Sequence, residues 1–246
     1  MKRLTFLFLA LFLSLHLVAQ NAECNGCGMC MPRTLTAAQQ AKLHKFSPFS
    51  VLGDSYSTFK GYTTPSDNAQ WYPHKDNDVT SLDMTWWTLF AHQSGLSLER
   101  NNSFSGSTVC NTGYGGKDVT FSSFVTRADN LGAPRLIIVE GATNDSWANV
   151  PLGKFKYRKW NANDLKAFRP AMARLLRTLR DRYPKTKLVF MLNSELKDSI
   201  NTSVFTVCRH YKVPVLHLQN IDKQKGHPSC NGMQAITNQL IDFLLH

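Results

Sequence analysis

Acidic residues are scarce in this chain. Against 28 lysines and arginines it carries 17 aspartates and glutamates, a formal net charge of +11. Much of the surplus lies in two stretches, Lys154 to Lys159 and Arg169 to Lys187. The second carries Leu175, Leu176 and Leu179 at helical spacing, so its arginines read as the wet face of an amphipathic helix, not as a nucleic-acid footprint. No nucleic-acid partner is expected, and an acidic polysaccharide or an anionic envelope surface suits the charge better. Also missing are a glycine-rich loop followed by lysine, a cofactor motif, and any metal-site spacing among His74, His92, His210 and His217. No cofactor and no metal ion are therefore expected. No internal repeat or low-complexity tract occurs.

A long apolar run occurs only at the start, where Lys2 and Arg3 precede an apolar stretch from Leu4 to Ala19. A basic start, a short apolar core and a small residue read as a secretory signal peptide over residues 1–20. A spanning helix usually needs about 20 apolar residues, so no stable membrane insertion is expected after cleavage. Asn21-Ala22-Glu23 before Cys24 puts a charge where a lipoprotein signal needs a small residue. The protein is thus expected to be exported, periplasmic or extracellular. Residues 21–45 read as a cysteine-containing leader, in which Cys24, Cys27 and Cys30 lack a fourth metal ligand. Six cysteines in an exported chain imply disulfides, and Cys110 and Cys230 are the candidates to pair. Cys208 reads as a small core residue on a helix. Residues 46–246 suffice for one well-buried domain. No feature of the sequence specifies an oligomeric state.

Within that domain, short runs rich in Val, Leu and Ile predict strands at Phe49–Leu52, Leu96–Asn101, Arg135–Glu140, Lys187–Leu192 and Val213–Leu218. Helical patterns fall at Leu82–Gln93, Val119–Asn130, Asp164–Tyr183, Thr202–Tyr211 and Gly232–Leu245. The alternation predicts an α/β fold, a three-layer α/β/α sandwich around a mainly parallel five-stranded sheet. Two insertions, Lys60 to Ser81 and Ser146 to Asn163, carry aromatic residues and leave carboxyl ends of strands, where ligands of such folds bind.

Those strand ends also carry the chemistry. The first strand stops at Gly53, and Asp54-Ser55 follows in the turn, the way α/β enzymes present a nucleophile. Asn101 to Ser107 sets Gly106 in a polar turn, where a backbone N–H can face a ligand; Gly141-Ala142-Thr143-Asn144-Asp145 follows the most apolar strand; and Gly226-His227-Pro228-Ser229 precedes the last helix. In this order the four segments resemble the blocks of the SGNH (GDSL-type) hydrolase family. Its name-giving residues find matches in Ser55, Gly106, Asn144 and His227. The resemblance implies a flavodoxin-like SGNH fold with strand order 2-1-3-4-5. It also implies a serine esterase with Ser55 as nucleophile, His227 as base, and an oxyanion hole of Ser55 N–H, Gly106 N–H and the Asn144 amide.

One departure stands out. The family usually places an aspartate three residues before the histidine, where this chain has Gln224. Asp222 could orient His227 only if the loop is remodelled; a backbone carbonyl or Gln224 are the alternatives. Asp54 and Asp145 read as turn or cap residues. Secretion, aromatic insertions and positive charge favour small acyl groups on carbohydrate, and the absence of a long apolar lid argues against a long-chain lipase. The competing expectation is a degenerate SGNH domain that binds a glycan or envelope partner without turnover.

Overall fold

The computed structural model describes residues 33–246. The expected signal peptide and Cys24, Cys27 and Cys30 lie outside the described residues. Five strands, β1 (Phe49–Gly53), β2 (Leu98–Asn101), β3 (Leu136–Gly141), β4 (Lys187–Leu192) and β5 (Val215–His217), form one parallel sheet in the order β2-β1-β3-β4-β5. The central strands are largely apolar because successive side chains face opposite layers, and both layers are covered. In β3, Leu136 and Ile138 enter one core while Ile137 and Val139 enter the other. In β4, Val189 and Met191 alternate in the same way with Leu188, Phe190 and Leu192.

One core is closed by α1 (Ala37–His44), α2 (Trp86–Ser94) and α7 (Cys230–Leu245). The other is closed by α3 (Phe124–Arg127), α5 (Phe168–Arg182) and α6 (Asp198–His210). A short helix, α4 (Thr143–Trp147), follows β3 directly. The α5 stripe behaves as its spacing predicts: Leu175, Leu176 and Leu179 are buried, and Arg174, Arg177 and Arg180 face water. Its α-helix begins only at Phe168, with Pro170 in the first turn, where a missing N–H costs nothing. The helix expected over 119–130 shrinks to α3, with Ser123 as its cap.

Helix α1 falls inside the stretch read as leader. Thr36 and Gln39 cap it reciprocally, and Leu35 and Leu43 are buried in the core shared with α2 and α7. The expected Cys110–Cys230 disulfide is absent. The Cys110 thiol donates to Thr112 O at 3.4 Å beside Asp145, whereas the Cys230 thiol donates to Asp78 O at 3.2 Å near Met84. Each sulfur is thus engaged in its own surroundings. Cys208 is buried in the core, as expected. Among the described residues no helix is long and apolar enough to cross a membrane.

Candidate active site

Strand β1 delivers Ser55 into a single 3-10 turn, Ser55–Ser57, capped by Asp54, whose Oδ1 accepts from Tyr56 N at 3.1 Å. Gly53 is required just before it, since a Cβ there would lie 2.6 Å from the side chains of Ser57 and Ser103. Beneath the turn, Ser57 donates to Glu140 Oε2 at 2.8 Å and accepts from Trp86 Nε1 at 3.1 Å. Asn193 donates to Glu140 Oε1 at 2.5 Å. Burial raises Asp54 to about 6. Burial, and then the charge of Asp54, also pushes Glu140 well above the usual carboxylate range.

The oxyanion side is drawn to this turn by a residue that carries no motif. Arg127, buried on α3, donates through Nη2 to Gly53 O at 3.1 Å and to Ser107 Oγ at 2.8 Å, and through Nε to Ser122 O at 2.7 Å. It also donates to Asn102 O. The clamp ties the end of β1 to the Gly106 turn. Burial lowers the guanidinium to about 9. Gly106 itself adopts φ +79°, which favours glycine. Asn144, on the first turn of α4, donates through Nδ2 to Ser107 O at 3.0 Å and accepts at Oδ1 from Tyr114 OH at 2.9 Å. Both oxygens of Asp145 accept from the backbone just past the Gly106 turn, Val109 N at 2.8 Å and Cys110 N at 3.3 Å.

The third component is a hairpin of β6 (Lys223–Gln224) and β7 (His227–Pro228), turned by Lys225 and Gly226 at φ 51° and 77°. His227 Nε2 lies 2.9 Å from Ser55 Oγ, and Nδ1 lies 3.1 Å from Lys225 O. A carbonyl can only accept, so Nδ1 carries the proton and Nε2 offers its lone pair to the serine. Burial depresses His227 to about 4, the Lys225 carbonyl opposes that, and His74 and Lys223 add to it. The ring is therefore neutral at physiological pH. The geometry is that of a hydroxyl hydrogen-bonded to a neutral base, beside a turn and an amide that can meet a developing oxyanion.

The model of the GDSL-like lipase/acylhydrolase family matches residues 47–244. The chain belongs to that family. A candidate GDSL-like lipase from Bacteroides ovatus is 50% identical over 79% of this chain and 96% of its own, with a TM-score of 0.78. A second, from Bacteroides uniformis, is 49% identical over 79% of this chain and 93% of its own, also at 0.78. A family two carbohydrate esterase from Clostridium thermocellum shares the fold alone, at 17% identity and a TM-score of 0.51 over 79% of this chain and 62% of its own. No curated protein matches.

In this GDSL-like hydrolase the expected Ser55, Gly106, Asn144 and His227 converge at the carboxyl end of the sheet. Asp222 does not join them. Its carboxylate accepts from Ser229 Oγ, and its carbonyl accepts from Ser229 N at 3.0 Å, so it braces the start of α7. Gln224 also turns away, exchanging bonds with Asp78: it accepts from the Asp78 N–H at 2.8 Å and donates to the carboxylate at 3.1 Å. The orienting group is the Lys225 carbonyl, one of the alternatives the sequence left open. Sequence reasoning missed Arg127, Tyr114 and Trp71. Arg127 carried no signal beyond lying in a helical pattern. Trp71 did lie in an aromatic insertion leaving the serine strand.

Proposed function

We propose that the protein is an exported serine esterase that removes small acyl groups, acetyl foremost, from carbohydrate through a covalent acyl-enzyme. The Ser55 Oγ–His227 Nε2 contact of 2.9 Å carries this reading. As Ser55 Oγ bonds to the ester carbon, its proton moves to Nε2 and the carbonyl electron pair moves to oxygen. The Ser55 N–H, the Gly106 N–H and the Asn144 amide are the donors assigned to that oxygen. Collapse breaks the bond to the alcohol oxygen, which takes the proton from Nε2. Water then repeats the sequence on the acyl-enzyme.

Trp147, 43% exposed, packs against Tyr56 and His227, and Tyr114, 45% exposed, bonds Asn144. Two half-exposed rings thus flank the reacting centre, a setting that suits the stacking of sugar faces. The competing binding-module reading rested on the missing aspartate, and the Lys225 carbonyl supplies the acceptor that gap called for. The test is hydrolysis of p-nitrophenyl acetate, butyrate and octanoate, and acetate release from acetylated xylo-oligosaccharides, by wild type and Ser55→Ala. Turnover that is lost in the variant and declines with chain length is expected. Equal rates for both proteins, together with no fluorophosphonate labelling of Ser55, would contradict it.

A further inference from the structure

His227 has no carboxylate on its ring, yet the reading above requires it to become a cation while largely buried. Removing water disfavours that cation, and the facing His74 and Lys223 oppose it further. Tyr56 and Tyr72, the other titratable groups against the ring, are held in the neutral form by burial. On this accounting only the Lys225 carbonyl favours the imidazolium. A second group is in place. Trp71 lies flat on the imidazole, with ring centroids 3.7 Å apart and planes 4° from parallel.

We propose that Trp71 is a positioning residue for the reaction, its indole face holding the His227 ring and stabilising the imidazolium in place of a carboxylate. The inference rests on the reading of His227 as the base. An indole is the best neutral surface for a cation, and its contribution grows when water is excluded. The indole is itself fixed. Its backbone N–H donates to Thr58 Oγ1 at 2.9 Å, Tyr72 meets it edge-on at 4.5 Å, and His74 stacks on it at 4.6 Å. Tyr72 in turn donates to Pro228 O at 2.7 Å, so one pair of adjacent residues grips the histidine hairpin by ring and by hydroxyl. Tyr56, donating to Gly226 O at 2.6 Å, holds it from the serine side.

Two roles for the ring predict opposite shifts. A surface that stabilises the cation raises the pH at which His227 titrates, and its removal lowers it. A ring that merely excludes water does the reverse. The experiment is an NMR titration of His227 in the adduct of methylboronic acid with Ser55, whose tetrahedral anion mimics the reacting state and calls up the imidazolium. Wild type, Trp71→Phe and Trp71→Leu are compared, with kcat and KM for p-nitrophenyl acetate alongside. His227 is expected to titrate at the lowest pH in Trp71→Leu, with Trp71→Phe between. The expected loss in Trp71→Leu is roughly tenfold in kcat with KM within about twofold. A titration that is unmoved or shifted upward in Trp71→Leu would overturn the proposal alone. Failure of the boronate to bind any of the three proteins would instead remove the esterase reading beneath it.

Discussion

The two halves of the site are held by different means. The serine half stands on the sheet: Asn101 at the end of β2 donates to Ser57 O at 2.8 Å, and Glu140 in β3 and Asn193 just past β4 complete a buried network under the Ser55 turn. The histidine half is a short hairpin beyond the last strand, gripped by residues of the first insertion. Asn77 donates to Pro228 O at 3.1 Å, Asp78 Oδ1 accepts from Cys230 N at 2.8 Å, and Trp71 and Tyr72 bear on His227 and its neighbour. Backbone topology therefore places Ser55, and packing between segments about 150 residues apart places His227. The Lys225 carbonyl on Nδ1 and, in our proposal, the indole of Trp71 share the work usually given to a carboxylate.

The largest effects fall where the halves meet. Ser55→Ala and His227→Ala are each expected to lower kcat/KM by at least roughly 10⁴, with unchanged thermal unfolding, as measured by ester hydrolysis and calorimetry. Next comes the oxyanion side. Asn144→Ala removes one donor and should cost roughly 10²–10³ in kcat. Tyr114→Phe deletes only the hydroxyl that orients that amide, and about a tenfold loss in kcat is expected. In an Asn144→Ala background the same change should cost almost nothing, which a double-mutant cycle reads directly. The smallest effect concerns pH. His227 accepts a proton only when neutral and is depressed to about 4. Acidification from neutral pH should therefore leave kcat/KM almost flat until about that value, where an unperturbed imidazole would lose activity near 6.5. An acid limb near 6.5 would show that burial does not set the titration of the ring.

The same contrast explains what the sequence reveals. Strands β1, β3 and β4 announce themselves as apolar runs, and the motif residues follow at their ends, so Ser55 and Asn144 were legible, while the sheet order followed from the family resemblance. Asp54 and Asp145 were correctly legible as turn residues, because short carboxylates beside such turns bond backbone amides. The partner of His227 was not legible. A backbone carbonyl has no side chain to identify it, and Lys225 places it by adopting φ 51°, a conformation that its residue type does not advertise. Arg127 and Trp71 act across long sequence separations, which periodicity cannot report. Helix α1 was not legible because Leu35 and Leu43 are isolated apolar residues in a polar stretch, and only the core shared with α2 and α7 gives them a place.

The most direct test sets Asp222→Ala beside His227→Ala. A base oriented by the Lys225 carbonyl predicts that Asp222→Ala keeps kcat/KM for p-nitrophenyl acetate within about twofold of wild type. Its expected cost, about 1 kcal/mol, lies in stability, through the loosened start of α7. His227→Ala should be inactive. A loss in Asp222→Ala that approaches the loss in His227→Ala would contradict the dyad and restore a carboxylate to the site.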